Sequence, residues 1–166
     1  MDSSLSFSSV QEHWLNYANF CKKTLEDREK TKAVLERATS ILYLDPRCKA
    51  LWEFLIGEEK EDGNHKNVGS IFNKVFQIPV QYVEALLKDF KQWASSEERQ
   101  LEEICPNDSD KLTEAQAAID ADEAYTEKSD EEKAAAVKDK LIRQLEAEAH
   151  ASVTASDRRK RYEAII

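Results

Sequence analysis

The chain has 166 residues, of which 34% are charged, and its net charge is −9. This length allows one domain with a modest core. The acidic balance argues against the whole chain being a nucleic-acid binder, because phosphate contacts need a basic surface. Only three glycines and three prolines interrupt the sequence, so an all-α fold is favoured over any sheet architecture.

Targeting and redox features indicate a soluble, intracellular protein. The N-terminus shows no secretory signal, and no stretch approaches the roughly 18 consecutive apolar residues that a membrane span requires. Cys21, Cys48 and Cys105 are widely separated and lack metal-ligand or redox spacing. We therefore expect a reduced protein with buried or idle thiols.

The first predicted helix follows a flexible N-terminus. Ser9 and Glu12 fit a capping box, in which each side chain satisfies a free backbone N–H of the other residue. Trp14, Tyr17 and Phe20 then follow at a spacing that places all three on one helix face. The spacing predicts that these aromatic side chains belong to the core.

The second predicted helix completes a pair with the first. It ends at Asp45-Pro46, where Asp45 can cap the next helix and Pro46 occupies a position that needs no N–H. Its inward apolar stripe consists of Val34, Leu35, Ala38, Ile41 and Leu42.

The same pattern occurs a second time. A third helix begins near Pro46 and carries Trp52, which lies 38 residues after Trp14. Asp62-Gly63 marks a turn, and a fourth helix then ends before Pro79. The predicted inward residues of these two helices are Leu51, Trp52, Leu55, Val68, Ile71, Phe72, Val75 and Phe76. A period of this size indicates stacked helix pairs, which present extended surfaces to partners.

A third copy begins but is interrupted. A fifth helix from about Val80 repeats the aromatic spacing with Leu87, Phe90 and Trp93. The acidic, Ala-rich stretch that follows, residues 95–129, has too little apolar surface to form a packed core by itself. We expect an insertion that is partly helical and partly disordered. The acidic stretch from Asp108 to Glu132 is either a tolerated solvated segment or an acidic interaction segment for a basic partner.

A long C-terminal helix is predicted to complete the third pair. Ser129 and Glu132 form a candidate capping box at its start. Its narrow apolar stripe recurs at four-residue steps, at Val137, Leu141, Leu145 and Ala149. The predicted organisation is therefore a flexible N-terminus (1–8), helical repeats (9–94), an acidic insertion (95–129) and a long helix (130–166).

No catalytic, cofactor or metal site is predicted. His13, His65 and His150 do not pair with a cysteine or a carboxylate at ligand spacing. The three glycines fit no phosphate-binding loop, and the abundant carboxylates fall on solvated helix faces. We expect that the protein is not an enzyme.

One dense basic cluster is the candidate contact site. It consists of Arg158, Arg159, Lys160 and Arg161. These residues are either a solvated helix end favoured by the helix dipole, a contact to RNA or to an acidic partner, or a short nuclear-localisation signal.

The repeat residues resemble a known family. Trp14-x-x-Tyr17-x-x-Phe20, followed by an apolar helix with Glu36-Arg37-Ala38 that closes on a proline, resembles the half-a-TPR (HAT) repeat of RNA-processing proteins. The second copy departs from the pattern, because Glu58 occupies the position where an aromatic residue is expected.

Within the HAT proteins, the order of elements is similar to the pre-mRNA-processing factor 39 family. An apolar helix from Ile71 ends in Ile78-Pro79-x-Gln81 and is followed by Phe90 to Trp93. A polar insertion comes next, and then a long helix that ends in an Arg-x-x-Tyr-Glu-x-x-Ile stretch, Arg159 to Ile166.

The resemblance implies stacked antiparallel helix pairs that form an α–α superhelix. It further implies a nuclear, non-enzymatic scaffold for pre-mRNA splicing that contacts protein subunits of the U1 small nuclear ribonucleoprotein, which recognises 5′ splice sites. RNA association would be indirect, and neither a membrane nor a cofactor is implied. The family dimerises through C-terminal HAT repeats that these residues do not contain, which argues against dimerisation here. The alternatives are a HAT factor of mRNA 3′-end cleavage or ribosomal-RNA processing, and a TPR-like cytoplasmic adaptor.

Overall fold

The computed structural model describes the backbone of residues 7–165 and the side chains of residues 10–155 and 157. The predicted flexible N-terminus lies largely outside the described residues. All regular elements in the described part are helical: α1 (Phe7–Lys23), α2 (Arg28–Leu42), α3 (Lys49–Glu61), α4 (His65–Val75), α5 (Val83–Ala94), α6 (Leu101–Ile104), α7 (Ser109–Asp120) and α8 (Asp130–Ile165), with single 3₁₀ turns at Pro46–Cys48 and Glu123–Tyr125. The predicted all-α fold is confirmed.

Short polar side chains define where several helices start. Asp27 accepts a hydrogen bond from Lys30 N at the start of α2, and Asp45 accepts one from Arg47 N just before α3. At the start of α8, Ser129 Oγ accepts a hydrogen bond from Glu132 N, which is one of the two bonds of the predicted capping box. The predicted cap at Ser9 is wrong, because α1 already begins at Phe7 and Ser9 lies inside the helix.

Consecutive helices pack against one another in the order of the chain. α1 packs on α2, α2 on α3, and α3 on α4, so the two predicted helix pairs stack side by side. The turn between α3 and α4 uses Gly63 at a φ of 72°, a conformation that favours glycine. Tyr82 connects the pairs, because its hydroxyl accepts a hydrogen bond from Trp52 Nε1 at 3.0 Å and donates one to the Tyr43 carbonyl.

The core of the second and third copies is as predicted. Phe72, Phe76, Phe90 and Trp93 contact one another, with the closest ring centroids, those of Phe76 and Phe90, 4.9 Å apart in an edge-to-face arrangement. Such aromatic pairs stabilise a core beyond the apolar area that they bury. Trp52 is also buried, at the junction with the first copy.

The core assignment of the first copy is partly wrong. Trp14 is half-buried, but Tyr17 is 43% exposed and Phe20 is 47% exposed. Ile41, which was predicted to face inward from α2, is 57% exposed. These three side chains lie on a side of the first helix pair that no other helix of the described part covers.

The segment predicted as an acidic insertion contains regular structure. α6 packs closely on α4 at Gly69. A Cβ added to Gly69 would lie only 1.7 Å from the Glu103 carbonyl oxygen, so the position has no room for a larger residue. Asn73 Nδ2 donates a hydrogen bond of 2.8 Å to the Ile104 carbonyl, and the Cys105 thiol lies 3.4 Å from Asn73 Oδ1. The segment is thus helical in part, and its partial disorder stays a prediction.

The long C-terminal helix packs along one seam. Val137, Leu141, Leu145 and Ala149 are all buried, so the predicted stripe of α8 is confirmed. α8 contacts α5 and also α7. It therefore lies beside α5, where the second helix of a third pair is expected.

Candidate interaction surfaces

Two glutamates of α3 are almost fully buried and meet lysines from the first helix pair. Glu58 is 1% exposed, and its Oε1 atom forms an ion pair with Lys22 Nζ of α1. Glu59 is also buried, and its Oε2 atom lies 3.3 Å from Lys32 Nζ of α2. Because buried carboxylates are unfavourable unless they are paired, these contacts fix the position of the first helix pair on α3.

Asp62, at the C-terminal end of α3, extends this group of charges. Its carboxylate accepts hydrogen bonds from Lys32 and Arg28, and these two cations hold the pKa of Asp62 below its usual range. The hydrogen bond to Glu58 raises the pKa of Lys22 above its ordinary value. We call this set the charged seam: Lys22, Arg28, Lys32, Glu58, Glu59 and Asp62.

A groove runs over α2, α3 and α4 beside the charged seam. Its volume is about 270 Å³, and it is lined by Glu36, Thr39, Trp52, Leu55, Glu59, Asn67, Ser70, Ile71 and Lys74. Asn67 Nδ2 donates a hydrogen bond of 3.3 Å to Glu59 Oε2. The lining mixes amide, hydroxyl and charged groups with the apolar side chains of Trp52, Leu55 and Ile71.

Histidines and cysteines lie apart from one another. His13 and His150 are exposed, whereas His65 is half-buried against Trp93. All three cysteines are buried as free thiols, and burial together with the nearby charge of Asp45 raises the pKa of Cys48 to about 12. Within the described residues, no group of three or more His, Cys, Asp or Glu side chains could hold a metal ion. No helix there is both long and apolar enough to cross a membrane.

The predicted basic cluster lies near the end of α8. The backbone of Arg158, Arg159, Lys160 and Arg161 is helical, but their side chains lie outside the described residues. Their role as a contact site therefore stays a prediction.

Sequence reasoning missed the charged seam and the docking of α6 on α4. Lys22 and Glu58 are 36 residues apart, close to the repeat period, so their contact could have been found by comparing the two copies. Gly69 offered a second signal. A glycine inside a helix costs stability relative to alanine and often marks a close backbone approach.

Comparison with known sequences decides the family. The family described as PRP39 N-terminal HAT repeat matches residues 5–92, which is more than half of the chain. The chain belongs to this family. The match spans α1 to the greater part of α5, so the two stacked pairs and the first helix of the third are PRP39-type HAT repeats.

Individual relatives agree with this assignment. Pre-mRNA-processing factor 39 from Xenopus laevis is 36% identical over 84 residues, and the proteins of that name from Mus musculus and Homo sapiens are 33% and 32% identical over the same length. Each match covers 48% of this chain but only 13% of the relative. No solved structure matches the chain at a significant level.

Proposed function

We propose that this chain is a nuclear, non-enzymatic scaffold in pre-mRNA splicing that acts through protein contacts within the U1 small nuclear ribonucleoprotein. The observation that carries the proposal is the match of residues 5–92 to PRP39-type HAT repeats, supported by relatives whose names describe pre-mRNA processing. The matched residues span a small part of those relatives. That this chain shares the partners of the whole proteins is therefore part of the proposal.

The proposed mechanism is rigid presentation of a surface. The charged seam and the Trp52–Tyr82 hydrogen bond lock neighbouring helix pairs together, so the groove keeps its shape before a partner arrives. A rigid surface loses little conformational entropy on binding, and more of the contact energy then appears as affinity. The helical repeats themselves would associate with RNA indirectly, through the protein subunits that they hold.

Affinity purification of the tagged full chain from nuclear extract tests this function. We expect U1 RNA and its core proteins by RNA sequencing and mass spectrometry. Recovery of cleavage or pre-ribosomal factors would keep the HAT family and overturn the assignment to U1. Recovery of cytosolic proteins alone would overturn the nuclear function and favour a TPR-like adaptor.

A matched pair of variants links recovery to the stacked repeats. Glu58→Lys places a second cation beside Lys22 in the charged seam, whereas Glu114→Lys makes the same charge change at an exposed position of α7. We expect the Glu58→Lys variant to recover neither U1 RNA nor its core proteins, and the Glu114→Lys variant to recover both as the parent chain does. Equal recovery with both variants would contradict the proposed role of a rigid stack.

We further propose that the basic cluster Arg158–Arg161 contacts RNA or an acidic subunit of the particle. Replacing all four residues with glutamine should reduce ultraviolet crosslinking to RNA, or recovery of one protein subunit, without unfolding α8. Unchanged crosslinking and unchanged protein recovery would leave the cluster as a solvated helix end.

A further inference from the structure

The first helix pair has a bare face at positions that are covered in the second pair. Trp14 and Trp52 occupy the same position of the two copies, so Tyr17 corresponds to Leu55 and Phe20 to Glu58. Leu55 is 2% exposed, because the first helix pair lies over α3. Tyr17 and Phe20 are nearly half exposed. The residues that receive a neighbouring helix pair in the second copy therefore receive none from the described part of the chain in the first.

Helix geometry places this bare face opposite α3. At about 100° per residue, Phe20 is about 160° around α1 from Lys22, which reaches α3 through Glu58. Ile41 is about 180° around α2 from Lys32, which reaches α3 through Glu59. The exposed apolar side chains of both helices thus point away from the rest of the stack.

The same face carries cations that form no ion pair with a carboxylate of the described residues. Lys23 follows Phe20 by three residues, Arg37 precedes Ile41 by four, and Lys30 is about 20° around α2 from Ile41. Within the described residues, none of these three side chains forms an ion pair. The carboxylates of α2, Glu29 and Glu36, lie about 120° or more around the helix from Ile41.

We define the end face as the apolar side chains Val10, Tyr17, Phe20 and Ile41 together with the cations Lys23, Lys30 and Arg37. Isolated exposed apolar residues are common on protein surfaces, but a group of them on a repeat's stacking face is typical of an interaction site. The end face combines an apolar centre with a basic rim on a chain whose net charge is −9.

We propose that the end face docks an amphipathic helical segment of a partner protein, one with an apolar stripe flanked by acidic residues. Charge complementarity selects this occupant, because Lys23, Lys30 and Arg37 would pair with carboxylates at the rim. A second copy of this chain is the weaker fit, since two end faces would bring like charges together. The proposal for the end face depends on the geometry of α1 and α2. It does not depend on which ribonucleoprotein particle the chain binds.

Two synthetic helical peptides test the proposal. Both have about 20 residues, since shorter peptides are marginal helices in water, and both carry the same Leu and Phe stripe. One has glutamate and the other lysine at the flanking positions. By fluorescence anisotropy at low salt, the full chain should bind the glutamate peptide at least about tenfold more tightly than the lysine peptide.

Three variants locate the site. Lys30→Glu with Arg37→Glu should reverse the preference between the peptides. Tyr17→Ser with Phe20→Ser should abolish binding of both, and circular dichroism should show that the fold survives, because these side chains are half exposed. Lys88→Glu with Lys140→Glu makes the same change in net charge at exposed positions elsewhere and should leave the preference unchanged.

Three outcomes would overturn the proposal, and a fourth would bear on the splicing role alone. An equal shift in the control variant would mean that overall charge, not the end face, sets the preference. Failure to bind either peptide, or equal binding of both, would refute the proposal that the end face binds an acidic helical segment. Sedimentation that shows a dimer lost in Tyr17→Ser with Phe20→Ser would assign the face to a second copy. Loss of U1 recovery with intact peptide binding would refute the splicing role alone.

Discussion

Removing Lys22 tests the buried ion pair between the repeats. Lys22→Met keeps most of the side-chain length but leaves Glu58, which is 1% exposed, without its cation. Within the described residues Glu58 Oε2 already has no hydrogen-bond partner, so Oε1 would join it. Breaking a buried pair by removing one partner costs about 3–5 kcal/mol. The side chain of Lys22 is 32% exposed, so water screens the pair and we expect about 2–3 kcal/mol.

Urea unfolding of the full chain, monitored by circular dichroism, measures this decrease in the free energy of unfolding. In thermal unfolding, a chain of this size shifts its Tm by about 2–4 °C per kcal/mol, so the expected cost corresponds to a decrease of roughly 4–12 °C. Lys23→Met is the matched control, because Lys23 is the exposed neighbour without an ion pair in the described part of the chain. It should change the free energy of unfolding by less than about 0.5 kcal/mol.

The double variant distinguishes a charge effect from a packing effect. Lys22→Met with Glu58→Met replaces the pair by two apolar side chains and should return the stability to within about 1 kcal/mol of the parent chain. A double variant as unstable as the sum of the two single variants would refute the reasoning, as would a Lys22→Met chain as stable as the control.

The pH dependence of the same pair has a definite sign. The hydrogen bond to Glu58 raises the pKa of Lys22 above its ordinary value of 10.5. The pair's contribution is therefore complete below pH 10.5 and is lost as the pH rises through the pKa of the folded state. Between pH 9 and pH 12 the parent chain should lose stability faster than the Lys22→Met variant.

Four further substitutions probe the stack. Gly69→Ala should weaken the docking of α6 on α4 by about 2 kcal/mol or more, and faster hydrogen exchange in α6 would report this loss. Gly57→Ala is the control, because open space surrounds Gly57, and it should raise the free energy of unfolding by about 0.5–1 kcal/mol. Tyr82→Phe should cost about 1–3 kcal/mol in urea unfolding, because it leaves the buried Trp52 N–H without an acceptor; a neutral result would contradict this. The lowered pKa of Asp62 contributes stability that is complete above pH 3.8 and is lost as the pH falls through the folded-state pKa. The Asp62→Asn variant should therefore lose less stability than the parent chain below pH 4. An unchanged dependence of stability on acid pH would exclude this contribution.

Periodicity was sufficient to predict α1 to α5, α8 and most of the core, but it did not predict α6 or α7. The spacing of Trp52, Phe72 and Phe90 identified buried positions, and Asp45 and Ser129 identified helix starts that the structure contains. These predictions succeeded because a helix pair buries one face, and the buried face repeats every three to four residues. The helix boundaries were correct to within a few residues.

Periodicity could not show whether a neighbour covers an apolar face. Tyr17 and Phe20 have the same spacing as buried aromatic residues, yet they are exposed because no described helix lies beyond α1. The order of helices in a stack decides this, and the order is a tertiary property. The α6 contact was missed for a similar reason, since Asn73 bonds to backbone atoms 31 residues away and no local pattern reports that bond.

The departure of the second copy from the HAT pattern has a structural explanation. Glu58 occupies an aromatic position, and its carboxylate is retained in the buried junction because Lys22 of the preceding copy reaches it. An ion pair has geometric requirements that two apolar surfaces lack, so it favours one register of the first pair on the second. Among the described residues, the end face has no such pair, and it presents Lys23, Lys30 and Arg37 without carboxylate partners instead. The two ends of the first helix pair are therefore chemically different, and an acidic partner would be drawn to the end face and not to the junction.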